Sequence, residues 1–244
     1  MRGMALQRFA CALVALPLFA CSLEYDSSEP GPDIGHARGA LEDVVVFPTT
    51  TFVDEYSPNQ NFVLYDRYYV DYWGIELLRV SDANATAIRQ AVGAGLVRRA
   101  YVRVTVDDAA WDPYTLRIFR MKEGVQWEPA GATWNCPIDT APTNGTQDCT
   151  AEWDFKATDP GARPHVVTPS DEVTLTALPP QFGTIDLDVT GDVMRLLAGQ
   201  SMTGWAIRYD APADPYSFLM VDRARDGTPT FLWTHPARRG TARP

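Results

Sequence analysis

The densest run of side chains able to recognise a ligand is Tyr65-Asp66-Arg67-Tyr68-Tyr69-Val70-Asp71-Tyr72-Trp73, five aromatics in nine residues. Flat aromatic rings stack on the C–H faces of pyranose sugars, while carboxylates and guanidinium groups beside them hydrogen-bond the hydroxyls. Tyr65, Tyr68, Tyr69, Tyr72 and Trp73, interleaved with Arg67 and Asp71, are therefore the first candidate ligand-binding set. Strand alternation would turn roughly half of such a run inward. A second set is Arg99, Tyr101, Arg103, Arg117 and Phe119, outward residues of two strands read as neighbours. Together they would make a basic and aromatic face suited to an acidic sugar.

Catalytic signatures are missing from the sequence. It holds no nucleophile elbow, zinc-protease helix motif or phosphate loop, and Gly199-Gln200-Ser201-Met202-Thr203 lacks the second glycine of an elbow. A glycosidase needs two carboxylates about 5 to 10 Å apart across a bond. Paired acids occur at Asp107-Asp108 and at Asp186 and Asp188, and the latter pair reads as solvated residues on the outer face of a strand. His165, in a Pro-rich loop, would be the candidate base, but a lone loop histidine is expected to be exposed. The chain is read as non-enzymatic.

A third cluster spans Trp127, Trp134, Cys136, Cys149 and Trp153. Large aromatics beside paired cysteines commonly fill a core or cover its edge, so these tryptophans are read as structural. Cys136 and Cys149 around a short loop are most simply a disulfide, since a zinc site would need two further ligands and the three histidines are scattered.

The elements that would position these groups are short strands. Residues 43–47 and 50–53 suit an opening strand bent at Pro48. Ile75 to Val80 continues as strand, and Ser81 to Ala94 suits a short helix or a loop. Val97 to Val106 alternates, with Ala100, Val102, Val104 and Val106 on one face. Thr115 to Met121 alternates again, and the two make a hairpin or a longer sandwich connection. Strands are also expected at Glu172–Leu178, Thr184–Val189, Gly204–Tyr209, Ser217–Val221 and Pro229–Trp233. Between them, Thr190 would cap one short helix, Gly191 to Ala198, with Gly199 as its left-handed stop. Many short strands and one small helix imply an all-β fold, a jelly-roll β-sandwich of antiparallel strands.

Residues 1–20 read as a signal peptide: Arg2 and Arg8 precede an apolar run too short to span a membrane. Leu18-Phe19-Ala20-Cys21 resembles the bacterial lipobox, which implies lipidation of Cys21 and a lipid-anchored protein of the outer membrane or cell surface. Residues 21–41 would be a flexible tether, 42–234 one domain and 235–244 a basic tail. The formal net charge of −10 disfavours nucleic acid as a partner. The acidic composition would also suit a structural calcium ion, although no loop has a dedicated calcium spacing and no ligands are assigned.

Taken in order, several pieces resemble the disaggregatase-related (DNRLRE) domain. Val97-Arg98-Arg99-Ala100-Tyr101-Val102 is similar to that family's strand beginning with a basic residue and alanine. Trp127-Glu128 followed by Ala132-Thr133-Trp134-Asn135 resembles its W-E…TW-N signature. Asp186-Leu187-Asp188-Val189-Thr190, Leu197-Ala198-Gly199 and Gly204-Trp205-Ala206-Ile207 resemble its D-V-T…G…G-W-x-I segment. The chain departs at Asn61-Phe62-Val63, where the family tends to have Asn-Tyr-Gly, and at Asp222-Arg223-Ala224-Arg225. The resemblance implies a non-catalytic jelly roll that binds a polysaccharide or helps hold a surface assembly together. A structural or adhesive envelope protein with a protein partner is the alternative, and a polysaccharide hydrolase or lyase the third reading.

Overall fold

The computed structural model describes residues 44–46, 49–63, 65, 67–92, 97–109, 114–176, 183–210, 218–222 and 231–236. Eleven strands occur among them: β1 Val44–Val46, β2 Thr49–Asp54, β3 Arg67–Asp71, β4 Gly74–Arg79, β5 Val97–Ala109, β6 Tyr114–Arg120, β7 Asp171–Leu175, β8 Thr184–Asp188, β9 Gly204–Asp210, β10 Phe218–Asp222 and β11 Phe231–Pro236. Helix α1 is Asp82–Val92 and helix α2 is Thr190–Leu197. All strand pairings are antiparallel, so the fold is an all-β sandwich.

One sheet runs β1-β11-β5-β10-β3 with β8 also paired to β5; the other runs β2-β4-β9-β6-β7. The 13-residue β5 serves as the spine of the first sheet, pairing β11 along its first half, β8 across Tyr101–Thr105 and β10 near its end. Its alternation is realised: Ala100, Val102, Val104 and Val106 are buried between the sheets with Ile185 and Leu187. Leu78, Leu116, Ile118, Trp205 and Ile207 meet them from the second sheet, and Ile88 of α1 and Val193 and Leu196 of α2 close the core.

Two expectations about elements change. The ambiguous segment is helix α1, so the fold has two α-helices where one was expected; Ser81 Oγ accepts from the Asn84 N–H and caps it. Thr190 does not cap α2. Its hydroxyl accepts from the Ala100 N–H at 2.8 Å, tying the helix to β5, and the N-cap position is Val189 with no side-chain cap. Gly199 is left-handed at φ 88°, as the C-terminal stop requires. At the other end of the chain β11 runs to Pro236, two residues into the stretch expected as a tail.

The second sheet is covered on both faces. Its outer face carries a second apolar cluster of Val53, Ile75, Leu77 and Ala206 from the strands with Met121, Trp127, Ala132, Trp134 and Phe155 from the long β6–β7 connection. This is why β4 is buried from Gly74 to Leu78 with no alternation. Within that connection Cys136 and Cys149 form the expected disulfide, and Trp153 donates its indole N–H to the Thr133 carbonyl at 2.9 Å. The three tryptophans are structural, as their residue types imply.

Candidate functional site

The aromatic run lies where the chain passes from the first sheet to the second, at the β3–β4 corner. Asp71 makes that corner: its Oδ1 accepts from the Trp73 N–H at 2.7 Å and from the Gly74 N–H, fixing the Tyr72-Trp73 turn. Gly74 is required there by close approach, because a Cβ would stand 2.4 Å from both the Phe52 ring and the Tyr69 carbonyl oxygen. Burial raises the Asp71 carboxyl above its ordinary range, partly offset by the two backbone hydrogen bonds. Asp71 therefore positions the aromatic groups by committing one carboxylate oxygen to the backbone.

The β2–β3 loop joins the same corner. The Glu55 N–H donates to the Trp73 carbonyl at 3.1 Å, and Asp54 Oδ1 accepts from the Tyr56 N–H at 3.0 Å. Tyr56 then lies 5.0 Å from Trp73, centroid to centroid, and Tyr72 meets Trp73 edge-on at 5.3 Å. Lys156, from the disulfide-bearing connection, sits 3.9 Å over the Tyr72 ring and is paired with Glu55. Tyr56 is 70% and Tyr72 48% exposed, and Trp73 is half-buried. The result is a partly exposed cluster of three rings, inclined at 45° and 88° to one another, with an ammonium over one ring and a carboxylate paired to that ammonium; aromatic, cationic and carboxylate groups together are what stacking and hydroxyl recognition call for.

Other members of the first set lie nearby or elsewhere. Tyr65 is exposed, accepts from Gln60 Nε2 at 3.1 Å and packs on Phe62; Tyr69 is exposed on β3. The side chains of Arg67 and Tyr68 lie outside the described residues, as does Cys21.

The second set is not one face. β5 and β6 belong to different sheets, which separates Arg99, Tyr101 and Arg103 from Arg117 and Phe119. Of the two alternatives read for these strands, the hairpin is excluded, and the sandwich arrangement, with the strands in opposite sheets, is the one found. On β5, Tyr101 is buried beneath Arg99 and Arg103, each guanidinium 5.0 Å from its ring. Arg103 forks onto Asp186 at 2.6 and 2.7 Å, so Asp186 is an ion-pair partner and not a solvated surface acid. On β6, Phe119 is buried against His165 at 4.5 Å, and Arg117 pairs with Glu172 at 2.9 Å.

His165 is also placed differently from the exposed loop residue expected. It is 1% exposed, roofed by Phe119 and Phe155, with Nδ1 bonded to the Val166 carbonyl at 2.8 Å and Nε2 to Arg208 Nη1 at 3.1 Å. Desolvation is the largest influence and pushes it down to about 4, helped by the positive charges of Arg208, Arg163 and Lys122 and opposed by the Val166 bond. It is neutral at physiological pH and structural. Arg208 is half-buried, donates also to the Phe155 carbonyl at 3.1 Å, and is lowered to about 10 by burial and then by Arg163.

Tyr56, Glu55, Lys156 and Arg208 did not stand out in the sequence. Tyr56 sits in a turn-rich stretch without a pattern, and Arg208 looks like an ordinary outward residue between Ile207 and Tyr209 until the connection folds over it. No protein-family model matches the chain, and no curated protein sequence matches it. Among the described residues no helix is long and apolar enough to cross a membrane, and no group of three or more His, Cys, Asp or Glu side chains is placed to hold a metal ion.

Proposed function

We propose that this chain is a non-catalytic carbohydrate-binding protein of the bacterial envelope, anchored through a lipidated Cys21 and binding polysaccharide at the Tyr56–Tyr72–Trp73 corner. The observation that carries this reading is the partly exposed aromatic cluster with the Lys156–Glu55 pair packed on it. A turn locked by Asp71 keeps the rings in place without a ligand, which lowers the ordering cost of binding a flexible glycan. The ordered motifs that resemble the disaggregatase-related domain support the same reading and a jelly-roll connectivity for the sandwich. Asp54 and Asp71 are engaged with backbone N–H groups and Glu55 with Lys156, which favours recognition over hydrolysis.

Affinity electrophoresis through gels containing single polysaccharides tests the proposal. The protein should be retarded by at least one of them, and Tyr72→Ala should weaken that retardation about five- to thirtyfold, since loss of one stacked ring costs on the order of 1–2 kcal/mol. Retardation by none of a broad panel, with co-purification of an envelope protein instead, would replace this reading by the structural or adhesive one. Release of reducing ends from a retarding polysaccharide would establish an enzyme.

A further inference from the structure

Beside the aromatic platform, on the outer face of the second sheet, positive charge converges in an otherwise acidic chain. Arg117 and Arg208 stand directly opposite each other on the adjacent strands β6 and β9. Like charges in that register repel and destabilise a sheet unless something offsets them. Glu172 answers Arg117 from β7. Arg208 forms no ion pair among the described residues; Nη1 goes to the Phe155 carbonyl and His165, two neutral acceptors. Arg163, held by its Nε–H to the Ala157 carbonyl at 3.2 Å, lies close enough to disfavour the charge on Arg208. The Phe155 carbonyl that takes Arg208 belongs to the residue before Lys156, whose ammonium sits 3.9 Å over the Tyr72 ring, so the arginine group adjoins the platform.

A half-buried guanidinium facing two other cations is costly, and an anion is the partner that relieves the cost. Planar guanidinium groups grip carboxylate, sulfate and phosphate oxygens in forked pairs. We propose that Arg208, Arg163 and Arg117 form an oxyanion subsite contiguous with the Tyr72 platform, which takes an anionic substituent of the bound polysaccharide. This rests on the platform binding sugar, and it specifies that sugar as an acidic one. Its source is a carboxylate or a sulfate ester of the glycan.

Three gels distinguish the possibilities: a neutral polysaccharide, a polyuronate and a sulfated galactan, each run with wild type, Arg163→Gln and Arg208→Lys. The wild type should be retarded at least tenfold more strongly by a charged gel than by the neutral one, and the charged gel that retards it more identifies the source. Arg163→Gln should lose that preference while keeping any neutral retardation. Arg208→Lys keeps the charge but not the fork, and should lose most of it too. Equal retardation by neutral and charged gels, or a preference unchanged in both variants, overturns the subsite and leaves the platform standing.

If none of the gels retards the protein, the platform reading fails and inorganic sulfate decides the subsite alone. At matched ionic strength, replacing chloride by sulfate should raise the Tm of wild type by several degrees more than that of Arg163→Gln. Identical shifts in the two proteins overturn the subsite, because the general salting effect of sulfate acts on both.

Discussion

At the scale of single residues, His165 couples the half-buried Arg208 to the loop layer through hydrogen bonds. Its neutral ring accepts from Arg208 while Nδ1–H holds the Val166 carbonyl, an arrangement that protonation would break. In the fold its pKa is about 4, against the ordinary 6.5 of an unfolded chain. Between these values the unfolded chain binds the proton and the folded one excludes it, so stability falls as pH drops from 6.5 towards 4 and levels off below. The full window corresponds to roughly 3 kcal/mol. Melting curves from pH 7.5 to 4.5 should therefore fall more steeply for wild type than for His165→Gln, which has no proton to gain; parallel curves would show that the imidazole is not excluded from titration in this way. Nothing in the sequence around Pro164-His165-Val166 distinguishes this buried ring from an exposed one. Its burial depends on Phe119 and Phe155, which arrive from 46 residues before and 10 residues before it in the chain.

At the scale of elements, the β6–β7 connection and helix α2 are the two pieces whose attachment can be tested. The connection has little regular structure, and its hold on the second sheet comes from Trp127, Trp134 and Phe155 together with the Cys136–Cys149 bond. Closing a loop of about 14 residues restricts the unfolded chain by roughly 3 kcal/mol, which in a protein of this size corresponds to a Tm change of about 6–12 °C. Cys149→Ser should lower the Tm by that amount in calorimetry while polysaccharide retardation persists, because the Tyr72-Trp73 turn is held by Asp71 and not by the disulfide. A variant that melts like wild type under non-reducing conditions would count against the bond as a staple. Helix α2 is fastened differently. Asp192 is buried and accepts from Ser170 Oγ at 2.6 Å and Trp205 Nε1 at 2.8 Å, with Arg120 at 3.3 Å. Asp192→Ala would leave a buried indole N–H and a largely buried guanidinium without their partner, a loss of about 3–5 kcal/mol in denaturant titration. A loss below about 1 kcal/mol would mean that the apolar face of Val193 and Leu196 alone holds the helix.

At the scale of the whole molecule, the platform and the arginine group lie where three layers meet: the first sheet through β3, the second through β4 and β9, and the covering connection through Lys156 and Phe155. The proposed role also needs the protein to be held at a membrane. Cys21→Ala should move it from the membrane to the soluble fraction and abolish labelling by a fatty-acid precursor, and retention of the label would contradict the lipid anchor. The class of fold is legible in the residues alone, because strand alternation in Val97–Val106 and Thr184–Asp188 has only one apolar face to bury. So are the pairing of Cys136 with Cys149 and the structural role of the tryptophans around them. Which aromatic and charged groups share a surface depends on how the strands pair across the fold. Alternation says which way a side chain points, but the sheet to which a strand belongs is set by long-range pairing, so Arg103 and Arg117 part company while Arg117 and Arg208 come face to face. The same long-range closure folds a loop over β9, and an arginine that reads as ordinary surface becomes a half-buried cation bonded to Phe155 and His165.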